Sequence, residues 1–129
     1  MLLNRKINMF INLEGDMPEF VAISVFTDKY FDHVVELTKA LKKLGSDVKI
    51  FMSGEGVKNV KHQRFKELLE AADSENVFVC EASYKRYVGE NIEKLKEAKS
   101  PVEGVPYKNW VTQAKNAEFL KDADKYVVF

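Results

Sequence analysis

The stretch from Phe20 to Met52 constrains the fold more than any other. Phe20 to Phe26 (FVAISVF) is apolar except for one serine, the composition of a strand buried on both faces. From Lys29 to Leu44, Tyr30, Val34, Leu37, Leu41 and Leu44 recur at three- and four-residue steps, with Phe31 and Val35 widening the stripe, which predicts an amphipathic helix. Thr27 or Asp28 offers its N-cap and Gly45 its left-handed C-cap, and Val48 to Met52 (VKIFM) reads as a second strand. Strand, helix, strand in this order makes the two strands parallel and the crossover right-handed.

The alternation continues. Phe65, Leu68, Leu69 and Ala72 share one helical face, and Val77 to Val79 forms a short apolar strand. A helix from Glu81 stops near Val88 before Gly89, and Asn91 can cap a further short helix carrying Ile92 and Leu95. A strand around Trp110 and Val111 follows the irregular stretch Pro101 to Pro106. Ala114, Ala117, Leu120 and Ala123, with Phe119 less well placed, then give a last helix, and Lys125 to Phe129 a last strand. The fold class expected is α/β: a single three-layer α/β/α domain over residues 1–129, flavodoxin- or Rossmann-like, with a mostly parallel sheet of about five strands. Residues 1–18 form an extension in which Ile7 to Leu13 could add an N-terminal edge strand.

With 20 basic and 20 acidic residues spread along 129 positions, the chain has no general attraction for nucleic acid or an anionic membrane surface. Its first residues are interrupted by Asn4, Arg5, Lys6, Asn8 and Asn12, which fits neither a signal peptide nor a membrane span. One cysteine cannot form an internal disulfide, so the expected setting is a reducing cytoplasm.

That cysteine, Cys80, falls where the Val77 strand ends and a helix begins. Unpaired backbone N–H groups and the helix dipole favour negative charge there, the condition under which a thiol becomes a nucleophilic thiolate. Ser83, one turn on, can share that face and donate to the thiolate. Against this stands the ordinary behaviour of unpaired cysteines, which pack as small buried hydrophobes. In parallel sheets ligand sites gather at the C-terminal strand ends. The loops so placed are Thr27 and Asp28, Ser53 to Val57, and Cys80 to Ser83. Ser53, Gly54, Glu55 and Gly56 lack a dinucleotide or P-loop signature, and Glu55 would repel phosphate, so they read as a flexible loop shaping access to Cys80 rather than as a cofactor site. His33 and His62 have no companions at metal-ligand spacing, so no metal is expected. The acidic group Glu14, Asp16 and Glu19 reads as a solvated turn, and Trp110, Tyr84 and Tyr87 as core residues or as the lining of a pocket or a subunit interface.

FMSGEGV at 51–57, VFVCEASYKRYVG at 77–89 and ADKYVVF at 123–129, in that order and spacing, resemble the DsrE/DsrF-like family, which includes the TusD-type sulfur-relay proteins. The resemblance spans about Phe20 to Phe129 and implies a small cytoplasmic α/β domain that assembles into dimers, trimers or hexamers. It also implies a cysteine, at the position of Cys80, that accepts a sulfane sulfur as a persulfide and passes it between donor and acceptor proteins without a cofactor. The extension before Phe20 departs from the family's usual start. Two rivals remain: a non-catalytic small-ligand-binding or assembly module with Cys80 buried, and a thiol peroxidase or redox sensor, which would need a partner thiol because the chain has no resolving cysteine.

Overall fold

A computed structural model describes residues 19–129, so the expected strand Ile7 to Leu13 and the acidic residues Glu14 and Asp16 lie outside the described residues. Five strands form one sheet in the order β4-β3-β2-β1-β5: β1 is Phe20–Val25, β2 Asp47–Met52, β3 Val77–Cys80, β4 Trp110–Val111 and β5 Lys125–Val128. Every pairing is parallel, with Val21 opposite Val48, Ile23 opposite Ile50, Phe51 opposite Phe78 and Cys80 opposite Val111. The α/β architecture expected from the sequence is therefore the observed one. β1 lies between β2 and β5, and every residue from Val21 to Val25 is buried.

The strand order dictates the layering. Steps from β1 to β2, β3 and β4 move one way across the sheet, so right-handed crossovers put their helices on one face. These are α1 (Phe31–Lys43), α2 (Phe65–Ala72), α3 (Glu81–Tyr87) and the single turn α4 (Glu93–Lys96). The return from β4 to β5 runs the opposite way, and its helix α5 (Gln113–Asp122) covers the other face. The core divides accordingly. Val21, Ile23, Val25, Ile50, Val77 and Val79 pack with Val34, Val35, Leu68 and Tyr84 on the first face, whereas Ala22, Phe51 and Cys80 pack with Phe119 on the second.

Local details depart from expectation in instructive ways. The N-cap of α1 is Tyr30, without a side-chain bond, because Thr27 accepts instead from the Lys29 amide (3.3 Å) in a local turn. Asn91 adopts φ +54° and Ile92 is the cap of α4. Gly45, at φ +84°, does terminate α1. The segment after β2 is no flexible loop: residues Gly54–Lys61 wind into a 3₁₀ helix, and a Cβ on Gly56 would lie 2.0 Å from the Val25 carbonyl oxygen. Outside, Arg64 ties α2 to α1 by donating to Glu67 (2.8 and 2.9 Å), Asp32 (3.1 Å) and Glu36. The Arg64 guanidinium, then the Lys39 ammonium, hold the Glu67 carboxyl down at about 2.

Candidate functional site

Cys80 ends β3 and is the N-cap residue of α3, in extended conformation (φ −70°, ψ 117°). Strand alternation turns Val77 and Val79 to the α1–α2 face and Phe78 and Cys80 to the α5 face. Cys80 is 3% exposed and lies among Ala22, Phe51 and Phe119. Of the two states weighed for this thiol, open at a helix start or packed as a small hydrophobe, the structure has it shielded from solvent.

Polar groups nevertheless converge on it. Gln113, the first residue of α5, sits where β4 ends beside β3, and its Nε2 lies 3.8 Å from Cys80 Sγ and 2.5 Å from Ser53 Oγ, to which it donates. Ser53, at the end of β2, is 4% exposed, and its amide donates to the Val25 carbonyl at 3.0 Å. Ser83 does approach, but its Oγ accepts from the Gly54 amide (2.9 Å) and lies 3.5 Å from Ser53 Oγ, so its hydrogen bonds fasten the 3₁₀ helix to α3 rather than reach the sulfur. Gly54 therefore contributes through its backbone, Gly56 serves close packing on β1, and Glu55 is exposed. α3 has only seven residues and begins with Glu81, whose carboxylate pairs with Lys85 at 3.2 Å, so few peptide dipoles add up at Cys80.

The remaining candidates lie elsewhere. His33 is exposed on α1; His62 accepts the Arg64 amide on Nδ1 (3.0 Å) with its ring 4.9 Å from that of Phe31, and neither is bonded to Cys80. Among the described residues, no group of three or more His, Cys, Asp or Glu is placed to hold a metal. Tyr84 and Trp110 pack edge to face at 4.8 Å in the core, and burial, then the charge of Glu90, raises the Tyr84 phenol above its ordinary value. A cleft of about 630 Å³ runs along α2 between Phe65, Leu69 and the Glu103–Gly104 turn, away from Cys80. Its lining holds His62, Lys66 and Ser74 but no thiol, so the Cys80 edge is the better candidate for thiol chemistry.

Gln113 went unread in the sequence because its partners are 33 and 60 residues away. The usable signal was Thr112, whose Oγ1 accepts from the Ala114 amide (3.3 Å) and so starts a helix at a C-terminal strand end.

Fold and site together define a parallel α/β domain with one shielded thiol at the C-terminal edge of its sheet. No family model, no curated protein and no solved structure matches the chain. No described helix is long and apolar enough to cross a membrane.

Proposed function

We propose that Cys80 is a sulfur acceptor in a relay. A Cys80 thiolate attacks the outer sulfur of a sulfane donor such as thiosulfate; the new S–S bond forms as the donor's S–S bond breaks, sulfite leaves with the electron pair, and Cys80 is left as a persulfide. An acceptor thiolate then attacks the outer sulfur and releases the Cys80 thiolate. This makes the chain a persulfide carrier, in reaction class a sulfurtransferase, needing no cofactor. A homo-oligomeric, cytoplasmic protein meeting separate donor and acceptor proteins belongs to the same proposal. The observation that carries it is the meeting of Cys80 with the Gln113 amide at the C-terminal edge of the sheet, where an N–H donor faces the sulfur at 3.8 Å. The quoted motifs around residues 51–57, 77–89 and 123–129 support the same reading.

A second reading has its own observation. At 3% exposure among Ala22, Phe51 and Phe119, Cys80 is packed as an inert small hydrophobe in a ligand-binding or assembly module. Intact-mass measurement after incubation with thiosulfate or polysulfide separates the two. The relay predicts a gain of one sulfur that is absent in Cys80→Ser and discharged by dithiothreitol. No gain with either donor, in folded protein whose Cys80 is shown to alkylate, overturns the relay.

A further inference from the structure

We infer that α5 is a lid that opens as a unit, and that its opening, rather than global unfolding, exposes Cys80. The attachment of α5 is unlike that of any other long element. In α1, Phe31, Val34, Val35, Thr38 and Leu41 are buried; in the ten residues of α5 only Phe119 is. Leu120, on its outer side, is 59% exposed. What holds α5 down besides Phe119 is polar: Gln113 donates to Ser53, and Asn116 Oδ1 accepts from both Ser24 and Tyr126 at 2.8 Å.

The floor beneath is apolar around Phe119, where Ala22, Phe51 and Phe78 lie, but it also carries buried polar groups, since Ser24 is fully buried and Ser53 is 4% exposed. When α5 lifts, water replaces each of these bonds at small net cost, leaving the exposure of Phe119 and of the few apolar residues it covers, chiefly Ala22, Phe51 and Phe78, as the main loss. Both ends of α5 are tied to the sheet, outside the helix itself. At the C-terminal end Asp124 exchanges two bonds with Phe20, its amide donating to the Phe20 carbonyl and its Oδ2 accepting the Phe20 amide, each at 2.8 Å. At the N-terminal end β4 is two residues long, and both its first residue, Trp110, and the preceding Asn109 are buried. Opening between these two ties carries Gln113 away from Cys80 and Ser53. Helices so lightly attached occupy the low-stability end of a protein's opening hierarchy.

The test combines native-state hydrogen exchange by mass spectrometry with iodoacetamide labelling of Cys80, both over a range of low urea on the full chain. The expected result is that α5 amides and the Cys80 thiol report one shared opening equilibrium, weakly dependent on urea, at least roughly tenfold more populated than global unfolding. Asn116→Ala should speed both about tenfold and Phe119→Ala by more, with α1 amides unchanged. Val34→Ala, which lowers global stability from the opposite face, should leave Cys80 labelling unmoved. Labelling that follows Val34→Ala and the steep urea dependence of global unfolding overturns the lid. The two proposals fail separately: a thiol that labels through α5 opening yet never gains sulfur removes the relay and leaves the lid. Sulfur gained while α5 stays protected to the global limit removes the lid and leaves the relay.

Discussion

Asn109 carries a large share of the edge that positions Cys80, and its removal has a calculable effect. It is 2% exposed just before β4, and its Nδ2 donates to the carbonyls of Val77 (2.8 Å) and Glu75 (2.9 Å), with that of Ser74 at a marginal 3.4 Å. An amide nitrogen has two protons, so two bonds are satisfied and the third distance reflects sharing. Asn109→Ala deletes both donors while the carbonyls stay; at about 1–1.5 kcal/mol per bond the loss is about 2–3 kcal/mol. For a domain of this size that lowers the thermal midpoint by roughly 8–12 °C. Urea unfolding is the assay, with a lowered midpoint and an unchanged slope expected. Asn109→Asp, of the same shape, turns acceptors towards acceptors, so at neutral pH it should be less stable than Asn109→Ala. It should recover partly in acid, where the protonated carboxyl regains one donor. A change below about 0.5 kcal/mol for Asn109→Ala, or an Asp variant as stable as wild type at pH 7, would refute the reasoning.

Gly56→Ala should cost about 3 kcal/mol or more, because the new Cβ meets the Val25 carbonyl oxygen at 2.0 Å and its carbon at 2.6 Å, backbone atoms that cannot rotate away; calorimetry checks it. Ser83→Ala leaves the Gly54 amide without its acceptor and should cost about 1 kcal/mol by urea unfolding, without abolishing Cys80 labelling. Glu67 has a folded-state carboxyl held at about 2, below the ordinary 4.5, so its ion pairs contribute fully above the ordinary value and are lost as pH falls towards 2. The thermal midpoints of wild type and Glu67→Gln should therefore differ most near neutrality and converge in acid; a gap constant with pH would contradict that.

The elements that sequence reading found are those whose cause is local. The run FVAISVF, the stripe of α1 and the glycine after it need no partner to be recognised, and they fix β1, α1 and β2 nearly to the residue. The position of Cys80 at a strand end was equally legible, because a short apolar run followed by helix formers is a local pattern. Its burial was not. That depends on α5 arriving from 33 residues later. Of the apolar residues that mark α5 in the sequence, Phe119 is the buried anchor, whereas Ala114, Ala117 and Leu120 are exposed, and Gln113 and Asn116 bond to Ser53, Ser24 and Tyr126. Hydrophobic periodicity assumes an apolar floor. Where buried polar groups such as Ser24 and Ser53 interrupt it, polar helix residues bond to the sheet as well. Asn109 escaped for the same reason, since its partners are backbone carbonyls that no side-chain pattern announces.

The relay is tested most directly with thiosulfate carrying a radioactive outer sulfur, given to the folded protein, followed by a small acceptor thiol. The label should enter the peptide containing Cys80, leave for the acceptor when it is added, and never enter Cys80→Ser. Label that stays in thiosulfate with wild type and variant alike, while iodoacetamide shows that Cys80 can be reached, would contradict the claim that this sulfur atom receives and passes on another.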